Sequence, residues 1–209
     1  MFSALIIKLK ESRAAYRSEI NGKSSTRIAK LYIKRTSVMK TDLTLDRANV
    51  DDAEKLSLLI NQAYRGLEGW TRETEIVEGE RSSLEDVRSL IQTPDLHMLV
   101  ATINGTIAAC ICIEEKENQA YIGSFAVNPS FQNQGLGKQV LSLAENYAVN
   151  QLGLKKFIMV VISQREELIS FYERRGYRRT MEISEYPVHL NVGLPTVEGL
   201  TIEYLVKIT

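Results

Sequence analysis

The sequence predicts an α/β (α+β) domain over residues 41–209, in the order β-α-α-β-β-β-α-β-α-β-β. Three observations carry that prediction. Segments with apolar residues at helical spacing alternate with short apolar runs. Two turn pairs, Asn104-Gly105 and Glu117-Asn118, each join one apolar run to the next as a hairpin. The run "KKFIMVVI" (155–162) is apolar enough to be a strand buried on both faces.

The elements follow in order. "LTLDRA" (43–48) reads as a first strand. "VDDAEKLSLLINQAYR" is a helix whose Ala53, Leu56, Leu59, Ile60 and Ala63 share one face. A polar loop with Gly66, Gly69 and Gly79 leads to the helix "SSLEDVRSLIQ", where Ser82 and Glu85 match a capping box and Pro94 marks the stop. "LHMLVATI", "TIAACICIEE" and "QAYIGSFAV" (119–127) are three consecutive strands. The helix "GLGKQVLSLAENYAVNQLG" carries an apolar stripe of Leu136, Val140, Leu143, Ala144 and Tyr147. After the strand 155–162, Ser163 and Glu166 match a second capping box that starts "QREELISFYERRG". "YRRTMEIS" and "LTIEYLVKI" close the domain, joined by a loop with Pro187, Gly193 and Pro195.

Composition removes several function classes. Net charge is zero, so attraction of the whole molecule to nucleic acid or membrane is not expected. The charge is nevertheless uneven. Residues 1–40 carry ten Lys/Arg against Glu11 and Glu19, so the remainder is acidic by the same amount. That basic stretch reads as an upstream extension, with Met39 a natural domain start. Its Arg/Lys/Ser-rich character also fits a mitochondrial transit segment, and a nucleic-acid arm is the third option. The protein is expected to be cytoplasmic, or mitochondrial if residues 1–38 are such a segment. Cys110 and Cys112 lie within one apolar run and read as core thiols in a reducing compartment. His97 and His189 lack ligand spacing, so no metal is expected. No apolar stretch is long enough to span a bilayer.

The chemistry concentrates in "FQNQGLGKQV" (131–140). A dinucleotide fingerprint needs a third glycine where Val140 stands. A P-loop needs glycine at Gln132 and a hydroxyl at Gln139, so that design fails as well. What remains is a glycine turn at a helix N-terminus, where unpaired N–H groups and a partial positive charge favour phosphate. The plainer alternative is that Gly135 and Gly137 only relieve a tight turn.

Gln132-x-x-Gly135-x-Gly137, directly after "SFAVNP", resembles the acetyl-coenzyme A signature of the GNAT N-acetyltransferase superfamily. "ELISFYERRGY" (167–177) is similar to that family's closing helix and the strand after it, and the element order agrees. The resemblance implies a single domain with a mixed, mostly antiparallel central sheet flanked by helices. It also implies acetyl-CoA as co-substrate, lying in an opening between strands 119–127 and 155–162. The pyrophosphate would meet backbone N–H groups of Asn133, Gln134, Gly135, Leu136, Gly137 and Lys138, with Gln132 shaping the loop. Phe125, Ala126 and Val127 would pair with the pantetheine, and Tyr172 would protonate the departing thiolate. Tyr172 could instead be a packed core tyrosine. Arg165 departs from the asparagine many members carry there; it could contact CoA or a substrate carboxylate, or merely sit in the helix's first turn.

No carboxylate stands at the usual place of a general base, where this chain has Tyr121, Ile122 and Gly123. Glu68, Glu73, Glu75 and His189 lie in loops that could border the acceptor, with solvated surface roles as the alternative. "YRGLEGWTRE" (64–73) falls where the family closes over the acceptor. Tyr64, Arg65 and Trp70 are therefore candidate substrate contacts, with Tyr64 and Trp70 equally readable as core anchors. The acceptor is expected to be a small-molecule or peptide amine. The domain's acidic balance favours a cationic amine. A sensor without turnover is the alternative function. The last strands could pair between subunits as a homodimer.

Overall fold

The computed structural model describes residues 43–209. The basic extension, with its transit and nucleic-acid readings, lies outside the described residues.

The described chain builds β1 (Asp46–Arg47), α1 (Ala53–Arg65), β2 (Val77–Glu78), α2 (Leu84–Gln92), β3 (Leu96–Ile103), β4 (Thr106–Lys116) and β5 (Gln119–Val127). It continues with α3 (Leu136–Leu152), β6 (Lys156–Ile162), α4 (Glu166–Glu173), β7 (Arg178–Glu185), β8 (Leu194–Pro195) and β9 (Thr201–Ile208). The expected order holds, with the two-residue pair β2–β8 as an addition. The main sheet runs β1-β3-β4-β5-β6-β9-β7, antiparallel except for β5 beside β6. Asn104-Gly105 and Glu117-Asn118 all take positive φ, as tight hairpin turns require.

Both faces of the sheet are covered, because alternate residues of each strand point to opposite sides. Leu99, Ala101, Ile111, Ile113, Phe157 and Met159 pack under α3 and α4. Met98, Val100, Cys110 and Cys112 pack under α1 and α2. The two cysteines thus share a face, buried and unpaired. The α1 face is the expected one. In α3 the stripe is corrected: Leu141 and Ala148 are buried, whereas Leu143 and Tyr147 are only half-buried.

Both expected capping boxes are also corrected. At α2 the cap is Ser83 with Asp86, since the Ser82 carbonyl is taken by Ser57 and Asn61 side chains. At α4 the N-cap is Arg165, with no side-chain cap; Ser163 instead gives its backbone N–H to Thr201.

Two features position the site. β5 pairs with β6 only through Ala120–Ile122 and Phe157–Met159. Beyond that point β5 stays with β4, across a bulge where Ser124 takes φ +44, while β6 stays with β9. The two parallel strands therefore part at Gly123, leaving an opening in the sheet. The second feature is the β2–β8 pair, which ties the loop after α1 to the loop after β7. Gly193 permits this closeness: at φ +106, a Cβ there would lie 2.5 Å from Val77 Cγ1 and 2.7 Å from the Glu78 carbonyl.

Candidate active site

Two cavities meet where β5 and β6 part. The larger, about 340 Å³, lies along Phe125, Ala126 and Val127 and reaches the start of α3. The smaller, about 50 Å³, lies deeper between the strands, bordered by Gly123, Met159 and Val160. Tyr64, Phe125, Arg165, Leu168 and Tyr172 line both, so the two adjoin across a shared wall.

The glycine stretch forms one end of the larger cleft. Gly135 is the N-cap of α3 in the left-handed conformation, φ +78, and Asn133 precedes it at φ +60. A Cβ on Gly135 would meet no protein atom within 4 Å, so it would stand in open space beside the cleft. Gly137 differs: a Cβ there would touch Val127, Phe125 and Phe171 at ordinary 3.6–3.8 Å contacts. The first amides of α3 have no partner inside the helix.

Gln132 ties this turn to two other segments. Its Nε2 donates to the Val127 carbonyl at 2.9 Å, and its Oε1 accepts from the Trp70 N–H at 2.5 Å. One side chain thus joins the end of β5, the glycine turn and the loop after α1. Trp70 packs on Phe171, ring centroids 5.5 Å apart, and walls the larger cleft. Lys138, Arg174 and Arg175 bring positive charge to that cleft, with the Arg175 guanidinium over the Phe171 ring. Gln134 is absent from both linings.

The smaller chamber has an apolar side, with Ile122, Met159, Val161 and Ile202, and a polar one. Tyr64, Glu73, Arg81, Arg165, Tyr172 and Tyr186 all face it. Glu73 accepts from Arg165 Nη1 at 2.7 Å and from Arg65 Nη1, while Arg165 Nη2 reaches Thr71 Oγ1 at 2.6 Å. Burial alone would push the Glu73 carboxyl up; the guanidiniums of Arg165, Arg65 and Arg81 outweigh it and hold the group below its ordinary range. Arg65 lines neither cavity. It clamps Glu73 and donates to the Gly79 and Val192 carbonyls at 3.0 and 2.8 Å, joining the end of α1 to both loops.

Burial, reinforced by Tyr64 and opposed by Arg165 and Arg175, raises the Tyr172 phenol well above its ordinary value of 10.0. Glu68, Glu75 and His189 are exposed and line neither cavity. Sequence reasoning missed Arg81, Tyr186, Phe171, Arg174 and Arg175. The adjacent arginines of "YERRGY" were a visible signal for the last two. Arg81 and Tyr186 carry no local motif. Among the described residues, no group of three His, Cys, Asp or Glu side chains could hold a metal, and no helix is long and apolar enough to cross a membrane.

Solved structures share this fold. The ribosomal-protein-S18-alanine N-acetyltransferase of Escherichia coli superposes with a TM-score of 0.60 at 18% identity, covering 79% of this chain and 93% of that one. The PaiA N-acetyltransferase of Thermoplasma acidophilum, solved with coenzyme A, gives 0.60 at 18% identity over 80% and 99%. The spermidine N-acetyltransferase of Vibrio cholerae, solved with CoA and spermine, gives 0.61 at 15% identity over 79% and 95%. At such identities the likeness is one of fold. The profile of the Acetyltransferase (GNAT) family matches residues 57–177, more than half of the chain. The chain therefore belongs to the GNAT acetyltransferase family.

Proposed function

We propose that this protein transfers the acetyl group of acetyl-CoA to a primary amine by direct attack. The observation that carries this reading is the cleft beside the unpaired edge of β5, with a glycine-capped helix N-terminus at one end and a buried tyrosine at the other.

The residues present fit an acyl-CoA. Amide N–H groups of 133–138 would take the pyrophosphate, helped by the helix dipole and by Lys138, Arg174 and Arg175. Phe125, Ala126 and Val127 offer the β5 edge that β6 leaves, so the pantetheine amides would add as a strand. The Phe125 N–H would polarise the thioester carbonyl. An amine from the smaller chamber then attacks the carbonyl carbon; a C–N bond forms and the C–S bond breaks. Tyr172 gives its proton to the departing sulfur, the nitrogen releases one to water, and water returns a proton to the Tyr172 phenolate, so the cycle closes. Burial raises the phenol above its ordinary value, so it is protonated at neutral pH and available as the proton donor.

Glu73 is a poor candidate for the general base, because two arginines occupy its oxygens. A water chain to solvent is the better reading. Arg165, held by Glu73 and Thr71, would shape the wall between cofactor and acceptor. Arg65 acts behind it as a positioning residue. Two buried, unpaired thiols fit a reducing compartment such as the cytoplasm.

Calorimetry tests this reading, with acetyl-CoA titrated into the protein and NADH and ATP as controls. Selective binding of about −8 kcal/mol that Gly135→Val abolishes is expected. A folded protein that ignores acetyl-CoA would refute it. A homodimer is a further proposal: β7 is an edge strand exposing Met181 and Ile183, which pairing between two copies would cover.

A further inference from the structure

We propose that Gln132 is a positioning residue that ties the acceptor chamber to the cofactor turn through residues 70–73, so that acetyl-CoA binding sets one wall of that chamber. This rests on the transferase reading for the identity of the two ligands.

The tie begins in one amide group. The Val127 carbonyl needs a donor and the Trp70 N–H needs an acceptor, and the Gln132 side chain supplies both, at 2.9 and 2.5 Å. A carboxylate would lack the donor and a guanidinium the acceptor. The loop is shaped for this meeting. Gly69 takes φ +125, and a Cβ on it would lie 3.4 Å from Gln132 Oε1. The chain from Leu67 to Trp70 is exposed, Trp70 itself to 45%. Burial therefore holds this end of the loop weakly, and the hydrogen bond to Gln132 weighs more.

From Trp70 the contacts run inward. The Trp70 ring lies on Phe171 of α4. Thr71 Oγ1 donates to Glu167 Oε1 at 2.5 Å and accepts from Arg165 Nη2 at 2.6 Å. Arg165 Nη1 reaches Glu73 Oε1 at 2.7 Å, and the Glu73 N–H donates to the Tyr64 carbonyl at 2.9 Å. Trp70 and Thr71 line the cofactor cleft, whereas Glu73 lines the acceptor chamber. One short segment thus borders both sites.

The other end of the tie is the turn. Gln132 directly precedes the amides of 133–138, where the pyrophosphate would bind, and Asn133 and Gly135 hold that turn at φ +60 and +78. A ligand that fixes these amides fixes the Gln132 backbone, while the bond to Val127 holds its side chain against β5. Cofactor occupancy then favours the Trp70 contact and, through Thr71 and Arg165, the placement of Glu73. By linkage the effect is mutual: a loop held in place raises the affinity for the cofactor by the same factor.

The test is amide hydrogen exchange, read by NMR at Trp70 and Glu73, in protein free and saturated with CoA. Calorimetry establishes saturation for each variant. In the wild type, CoA should slow exchange at both amides by about 5- to 150-fold. Gln132→Arg keeps a donor for Val127 and has no acceptor for the Trp70 N–H, so the response should vanish at both. Gly69→Ala attacks the contact from the loop side and leaves the turn unaltered; it should retain CoA binding and lose the response as well. Slowing that persists at both amides in CoA-saturated Gly69→Ala overturns the proposal. Slowing at Trp70 without Glu73 in the wild type overturns the link to the acceptor chamber. Saturable CoA binding with both wild-type amides unmoved sinks this inference and leaves the transferase reading standing, whereas a folded protein that binds no CoA sinks both.

Discussion

Arg165 and Glu73, 92 residues apart in the chain, form an ion pair of 2.7 Å in which both side chains are 7% exposed. Arg65 closes on the other carboxylate oxygen. Glu73→Gln leaves two guanidiniums facing a neutral amide, which should cost about 3–5 kcal/mol at neutral pH. Glu73 is held below its ordinary value of 4.5 in the folded protein. Its contribution is therefore complete above that value and lost as pH falls through the lower folded value. Urea denaturation across the acid range should show the wild type converging on the variant only in that acid window. Equal stability of the two proteins at pH 7 would contradict the reading of this pair.

Tyr172→Phe removes one oxygen and little packing. A fall in kcat of about 10²- to 10⁴-fold is expected, with acetyl-CoA affinity unchanged. Since burial raises the phenol above its ordinary 10.0, it stays protonated as pH rises to that value, and the wild-type rate should show no descending limb from this group below it. A phenylalanine variant with normal kcat would reduce Tyr172 to a packing residue.

The two glycines of the loop should separate in their effects. Gly135→Ala puts a side chain at φ +78 and should cost about 1–2 kcal/mol of stability. Gly137→Ala meets ordinary contacts inside a helix and should gain about 0.5–1 kcal/mol. Gly137→Leu would project into the cleft and should block acetyl-CoA without unfolding the protein. Thermal melts paired with calorimetry read both quantities.

Burial pushes the Cys110 and Cys112 thiols up to about 12. Neither should react with an aromatic disulfide reagent at pH 8 until denaturant is added, because the thiolate is the reactive form. Rapid labelling of the native protein would contradict this burial.

Outward pairing of β7 can be checked by light scattering. If two copies meet there, Ile183→Lys should shift a dimer toward monomer, since charge on an edge strand opposes pairing.

The order of elements was legible in the sequence because hairpin turns, helical stripes and a fully apolar strand are local signals. So were the glycine turn and Tyr172, which sit in contiguous stretches. Helix starts were read one or two residues off, since Ser82 and Ser163 have the right chemistry but give their backbone groups to other segments. Where β5 and β6 part depends on a bulge at Ser124 and on which neighbour each strand keeps. The meeting of Arg65, Glu73, Arg81, Arg165 and Tyr186 depends on a sheet that brings four separate segments together. No periodicity encodes such a meeting. Charge summed along the sequence gave an acidic domain, whereas charge summed over the chamber is positive, because a ligand responds to the groups it touches and not to the chain's total.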